Sequence, residues 1–252
     1  VLHEAAVTQA AQMFMDAELL ETHHPGDFPS DQDRRLSRPG IGSMYRVPER
    51  KRIELDVSKN LIVHFFAERA LASIALLMPP GPGLEIEVAR DRFCKLAELF
   101  KHEFRFRADA SFDKIFEDTL TTMVRAGELK HQKGLLSPGQ GHDDWSGRIW
   151  LQTYAASLQS FIEGYRVAAR SLTLLLRGPV SDKDLTRRAI ALGNRMFLAG
   201  DIQMREAVSK PLIQNALLVF REEGYMEQLP ENKLALAQSF ANIEAAGTIE
   251  GR

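Results

Sequence analysis

Between Leu55 and Met78 almost every residue is apolar, and Pro79-Pro80-Gly81-Pro82-Gly83 then ends whatever element the run forms. The run has about the length of a membrane span. It also contains His64, Glu68 and Arg69, and central charges cost about 2.5 to 3.5 kcal/mol each on insertion scales. The pattern therefore predicts a buried helix of a soluble domain rather than a span. A helix apolar on nearly every side must be surrounded by others, so this run demands a helical bundle.

The flanking segments supply those other helices. Leu2, Ala6, Val7, Ala10, Met13, Phe14 and Ala17 have helical spacing over residues 1–21, which His23-His24-Pro25-Gly26 closes. Residues up to Gly42 are rich in Pro, Gly, Asp and Arg and read as a linker, and Met44-Tyr45-Arg46-Val47 as a short strand. Further helices are expected over 88–100, 111–126, 150–176, 182–198, 205–223 with an interruption at Pro211, and 231–246. A short strand is expected at Phe104–Phe106 and a polar loop over 135–147. Ser111 reads as an N-cap. The helix it opens, followed by Gly127-Glu128-Leu129 and a polar turn, resembles a winged-helix unit. The expected fold is mostly α: a helical bundle with a few short strands and a winged-helix-like subunit. The expected organisation is an N-terminal helix and basic linker at 1–43, a C-terminal helical domain at 44–247 and a tail at 248–252.

A chain of 252 residues can bury a substantial core, and a formal charge of -2 describes an ordinary soluble surface, ill suited to duplex DNA. Cys94 is the single cysteine and sits in an apolar helical pattern, as a small buried hydrophobe would, which points to a reducing compartment. The chain opens on Val1 without a signal-peptide progression, as a piece of a longer polypeptide would. Its last residues, Ile249-Glu250-Gly251-Arg252, match a protease-cleavage sequence used in recombinant expression.

Sharp catalytic motifs are missing from the sequence. No phosphate-cradling Gly-Lys-Ser/Thr loop and no Gly-x-Ser-x-Gly elbow occurs. No His-Glu-x-x-His pair places two imidazoles on one helix face, and His142-Asp143-Asp144 lacks the further ligands of a cation site. No metal or cofactor is expected.

Two features remain. Asp56, Asn60, His64 and Glu68 recur every four residues, with Lys59 and Arg69 beside them, and would line one side of the apolar rod. They read either as a hydrogen-bonded seam that fixes helix register or as a contact with a neighbouring domain. Arg34, Arg35, Arg38, Arg46, Arg50, Lys51 and Arg52 stand against one acid, Glu49. Such a cluster suits anionic lipid head groups, acidic groups of a partner, or a solvated loop.

The same stretches carry a family resemblance. Met44-Tyr45-Arg46-Val47, Ile53-Glu54-Leu55-Asp56 and Lys59-Asn60-Leu61-Ile62-Val63-His64-Phe65-Phe66 resemble the region just after the catalytic domain of bacterial membrane-associated glycerol-3-phosphate 1-O-acyltransferases. Leu99-Phe100-Lys101-His102-Glu103-Phe104, then Phe161-Ile162-Glu163-Gly164-Tyr165-Arg166-Val167-Ala168-Ala169-Arg170, and Gly200-Asp201-Ile202 through Arg205-Glu206-Ala207-Val208-Ser209-Lys210 extend it in order. Where that pattern has paired tyrosines before Lys-Asn, this chain has Val57-Ser58.

The resemblance implies an enzyme that moves a fatty acyl group from acyl-CoA or acyl-carrier protein to position 1 of glycerol 3-phosphate. It would work peripherally, at the cytoplasmic face of the inner membrane. The family's catalytic signature is His-x4-Asp, in which the Asp orients the general base. Five residues after the seven histidines come Thr8, Phe28, Pro29, Arg69, Arg107, Leu136 and Gly147, none of them Asp. The resemblance thus implies a non-catalytic C-terminal region whose first partner is the upstream acyltransferase domain. The rival is a helical regulatory or winged-helix binding module without enzymatic activity.

Overall fold

A computed structural model describes residues 4–23, 44–78, 83–141 and 146–251. The chain divides into two compact units, Val1–Ile62 and Val63–Arg252. The boundary drawn at 43 and 44 from the sequence lies inside the first of these.

The first unit holds α1 (Glu4–Asp16), an antiparallel pair of β1 (Glu21–His23) and β2 (Met44–Arg46), and α2 (Arg52–Ile62). The predicted strand at 44–47 is β2, and Glu21 lies opposite Arg46. Lys51 and Arg52 form (i, i+3) ion pairs with Glu54 and Glu49, and Arg50 is exposed. Arg34, Arg35 and Arg38 lie outside the described residues.

The expected rod from 55 to 78 is not one helix. It stops at Ile62, passes through a 3-10 turn at Val63–Phe65, and restarts after Phe66 as α3 (Ala67–Leu77). No Pro or Gly marks the break. Burial alternates across it: Val63 and Ala67 are buried, while His64, Phe65 and Phe66 are partly exposed to solvent.

The second unit contains two copies of one topology. The first lobe runs α3, β3 (Leu84–Glu85), α4 (Ile86–Leu99), α5 (Phe112–Arg125), β4 (Leu129–Gln132) and β5 (Leu135–Pro138), with sheet order β3-β5-β4. After α6 (Gly147–Ser157) come α7 (Gln159–Ser171), β6 (Val180–Ser181), α8 (Asp182–Ala199), α9 (Lys210–Glu222), β7 (Met226–Leu229) and β8 (Lys233–Leu236), with order β6-β8-β7. Both follow helix, strand, helix, helix and a two-stranded wing, the winged-helix topology expected once and found twice. The register repeats as well: Leu84 faces Leu136 and Val180 faces Leu234, while Leu129 faces Pro138 and Met226 faces Leu236.

Local chemistry accounts for the repeat. The side chains of Ser111 and Ser181 accept from Lys114 N at 3.3 Å and Asp184 N at 3.2 Å, capping α5 and α8. Gly127 and Gly224 follow α5 and α9 at φ 75° and 74°, left-handed positions that favour glycine, and turn the chain into each wing. Two residues later Leu129 and Met226 enter the core. In α5 the buried Ile115, Phe116, Thr119, Leu120 and Met123 lie on one helical stripe, and Phe116 meets Phe93 of α4 at 5.3 Å between ring centroids.

Other expectations are corrected. Phe104–Phe106 is a loop, not a strand, because Phe104 is drawn into an aromatic cluster. The predicted loop at 135–147 begins with β5, since Leu136 is buried in the sheet. The helix predicted over 150–176 is α6 and α7, separated at Leu158, then a 3-10 turn at Leu172–Arg177. Pro211 sits in the first turn of α9 and starts that helix rather than interrupting it. The helix predicted over 231–246 is replaced by β8 and the short α10 (Ile243–Thr248), because Leu234 and Leu236 are buried as alternate residues of a wing strand.

A glycine crossing locks the first lobe to α6. Gly141 N donates to Gly127 O at 2.9 Å, Gly139 N to Glu128 O at 2.9 Å, and Gly147 N to Gly139 O at 3.2 Å. Beneath it the carboxylate of Glu128 is buried, accepts from Tyr154 Oη at 2.9 Å and pairs with Arg69 Nε at 3.5 Å. Burial, then the Glu128 carboxylate, pushes the Tyr154 hydroxyl up to about 12.

Candidate functional site at the junction of the lobes

Residues 99–104 leave α4 and reach the second lobe with both apolar and polar groups. Phe100 meets Tyr165 of α7 at 4.8 Å between centroids, and Phe104 meets Phe161 at 5.0 Å. Tyr165 then meets Phe220 of α9 at 6.1 Å, so the ring cluster crosses from lobe to lobe. Such pairs contribute about 0.5 to 1.5 kcal/mol each beyond the area they bury.

The polar residues between those phenylalanines face α9 and α7. Lys101 Nζ and His102 Nε2 lie 2.9 and 3.0 Å from Glu222 Oε2, and Asn215 Nδ2 donates to the His102 carbonyl at 3.5 Å. Tyr165 Oη donates to Glu103 Oε1 at 3.2 Å. Burial raises the Glu103 carboxyl above its usual range, against the lowering pull of Asn215, Tyr165 and His102. Burial raises the Tyr165 hydroxyl strongly too, reinforced by Glu103. The Lys101 and His102 hydrogen bonds hold the exposed Glu222 below the usual carboxylate range.

Two residues before Tyr165 on α7, Glu163 is 9 % exposed and accepts from Met204 N at 2.7 Å and Gln203 N at 3.0 Å. Gln159 Nε2 adds a third bond at 3.0 Å. This carboxylate fixes the turn between α8 and α9. Gly164 allows that approach, because a Cβ there would lie 2.2 Å from Leu212 Cδ2 and 3.0 Å from the Ala207 carbonyl.

The residues singled out from the sequence are placed differently. His64 packs edge-on against Phe104 at 5.7 Å, and Glu68 accepts from Thr119 Oγ1 of α5 at 3.4 Å. Phe66 stacks on Tyr154 at 6.2 Å. Asp56, Lys59 and Asn60 belong to α2, before the helix break, so the four-residue spacing does not form one continuous helical stripe. Cys94 is half-buried, 3.9 Å from Asp113 Oδ1, and burial followed by that carboxylate pushes its thiol up, away from nucleophilic behaviour. The sequence assigned no role to Glu103, Glu163, Tyr165, Arg170, Asp201 or Glu222. The signal for most of them was their place in strings that mix aromatic and charged residues.

Among the described residues no group of three His, Cys, Asp or Glu side chains could hold a metal ion, and no helix is long and apolar enough to cross a membrane. The junction is built to hold two lobes and a turn in fixed relation.

The strings that meet here, 99–104, 161–170 and 200–210, are the ones whose resemblance to acyltransferases was noted. A family model described as the glycerol-3-phosphate acyltransferase C-terminal region matches residues 3–228. The chain belongs to that family. Comparison with curated proteins found no match. The matched span of this acyltransferase C-terminal region runs from α1 into β7, so it includes the whole junction, while β8 and α10 lie beyond it.

Proposed function

We propose that this region is the non-catalytic C-terminal part of a glycerol-3-phosphate 1-O-acyltransferase. The whole enzyme transfers a fatty acyl group from acyl-CoA or acyl-carrier protein to glycerol 3-phosphate in phospholipid synthesis, at the cytoplasmic face of the inner membrane. The match over residues 3–228 carries the reading. The absence of any His-x4-Asp spacing from the sequence supports the non-catalytic role. The region's task is then mechanical: it braces the upstream acyltransferase domain, and the basic residues Arg34, Arg35, Arg38, Arg50, Lys51 and Arg52 approach anionic lipid.

The test compares this region with the full-length protein in an assay for acyl transfer to labelled glycerol 3-phosphate. The full-length enzyme is expected to turn over and the isolated region is not. Turnover by the region alone would end the non-catalytic reading, and a full gene product lacking His-x4-Asp upstream would end the acyltransferase one.

The tandem winged-helix lobes favour a second reading, a binding module without enzymatic activity. On α5, the helix that would enter a DNA groove, Asp113, Glu117 and Asp118 outnumber Lys114 and Arg125, a balance that does not favour a duplex. Affinity for random-sequence DNA with a steep salt dependence is the result that would favour this second reading.

A further inference from the structure

The outer face of α8 carries charge that the fold does not need. On this helix Leu185, Ala189 and Met196 are buried, while Arg187, Arg188, Ala191, Arg195 and Leu198 lie on the opposite, exposed side. The three arginines stand three or four residues from Ala191, so on the helix surface they border one small side chain. After Asp184 the helix has no acidic residue. Arg187 pairs with Asp184 at 2.6 Å, and among the described residues Arg188 and Arg195 form no ion pair.

The duplicated topology supplies an internal control. In the first lobe α4 holds the place that α8 holds in the second, each following the short strand that pairs with the wing. Along α4 the acids Glu87, Asp91 and Glu98 balance Arg90, Arg92 and Lys95. Lys95 Nζ lies 2.8 Å from Asp91 Oδ2, and Arg90 Nε 3.8 Å from Glu87 Oε2. One position in the fold is therefore neutral in the first lobe and basic in the second, and packing does not account for the difference.

Leu198 completes the face: it lies one turn beyond Arg195 and is 84 % exposed. Guanidinium forks match phosphate oxygens, and an apolar side chain beside them gains by entering the boundary between head groups and acyl chains. A folded acidic partner gains most from arginines already held in place. Lipid head groups instead move laterally to meet arginines that nothing holds. We propose that Arg187, Arg188, Arg195 and Leu198 form a contact site for an anionic phospholipid surface. It belongs to the second unit, whereas the basic residues between 34 and 52 belong to the first. It rests on α8 alone, so it stands or falls apart from the enzymatic reading.

The experiment floats the full chain with vesicles of phosphatidylcholine, alone or mixed with phosphatidylglycerol. Each cation near an anionic surface is worth about fivefold in partition, so Arg188→Gln with Arg195→Gln should weaken binding to the mixed vesicles about 30-fold. Both side chains are exposed, so the variant should keep the wild-type circular dichroism. A second readout is local: Leu198→Cys in a Cys94→Ala background carries a polarity-sensitive fluorophore. Its emission should move to the blue with the mixed vesicles and stay unchanged with phosphatidylcholine alone. A wild-type chain that does not float with the mixed vesicles overturns the proposal, as does flotation that the double variant leaves unaltered. Flotation with unmoved emission at position 198 assigns lipid contact to another surface and overturns it too. If the double variant instead loses affinity only for soluble polyglutamate, the face belongs to an acidic protein and not to lipid.

Discussion

Tyr165, on the first helix of the second lobe, donates its hydroxyl hydrogen to Glu103, which leaves the second helix of the first lobe, at 3.2 Å. The bond joins two of the family-like strings across the junction. Tyr165 is 4 % exposed, so Tyr165→Phe removes a buried donor and leaves Glu103 to Asn215 and His102. A loss of about 1 to 3 kcal/mol is expected in denaturant melts. An unchanged midpoint would show that the bond contributes nothing to the junction.

Glu103 gives the fold a pH dependence of defined sign. Its carboxyl is raised in the folded protein, first by burial, so the folded state binds a proton more tightly than the unfolded chain, where the group titrates near about 4.3. Stability is then highest below that unfolded value and falls as pH rises through the raised folded value, levelling off above it. Glu103→Gln keeps the hydrogen-bonding shape and removes the charge. The melting temperature of the variant relative to wild type should climb across that window and then stay constant. A difference that is flat with pH would contradict the raised carboxyl.

Much of the framework was readable because it is local. Ser111 before Phe112 and Gly127 just past Arg125 bracket α5, with the Ser111 side chain capping the helix and Gly127 at φ 75°. The second wing was hidden for the opposite reason. Residues 231–246 are rich in Ala, with Leu and Glu among them, which favour helix in isolation. What makes 233–236 a strand is pairing with β7 and burial of Leu234 and Leu236, a tertiary effect that local propensity does not carry. The break at 63–66 was equally silent, since an apolar run reads the same whether it is one helix or two. Of the site, the sequence revealed the strings and not their meeting, because contacts such as Glu103 with Tyr165 join positions 62 residues apart.

The turn held by Glu163 should show which carboxylate oxygens matter. Glu163→Ala leaves the part-buried N–H groups of Gln203 and Met204 without their charged acceptor, a loss of about 1 to 3 kcal/mol. Glu163→Gln retains one acceptor oxygen and should cost less. Hydrogen exchange at 203 and 204 reads the effect directly, and equal protection in wild type and Glu163→Ala would remove the cap assigned to this residue.

Two glycine substitutions separate crowding from backbone strain. A Cβ at Gly147 would lie 2.4 Å from the Glu128 carbonyl oxygen and 2.5 Å from Gly139 N, both backbone atoms that cannot swing away. Gly147→Ala should therefore cost at least about 1 to 3 kcal/mol, the usual range for overpacking. At Gly134, φ is 78° and nothing lies within 4 Å, so Gly134→Ala should cost about 1 to 2 kcal/mol from the left-handed conformation alone. The ranking of the two in thermal melts is the check, and Gly134→Ala proving the worse would refute the crossing as a packed element.

Phe104 decides whether the two lobes fold as one. It is 3 % exposed and touches rings from the break before α3, from α4, from its own loop and from α7: His64 at 5.7 Å, Phe100 at 6.0 Å, Phe106 at 6.5 Å and Phe161 at 5.0 Å. Phe104→Ala should cost about 3 to 5 kcal/mol through lost burial and the cavity left behind. The size of the loss alone would not distinguish a core residue of one lobe from a residue joining two. A double-mutant cycle with Phe161→Ala does, since Phe161 belongs to the second lobe: a coupling of about 0.5 to 1.5 kcal/mol is expected for a direct ring pair. Exchange should follow the same logic. In wild type, amides of α5 and α9 should open together in one global event, and in Phe104→Ala the two helices should separate into distinct openings. Zero coupling together with already separate openings in wild type would mean that the lobes are independent modules, and the string at 99–104 would lose the joining role that its aromatic and charged contacts give it.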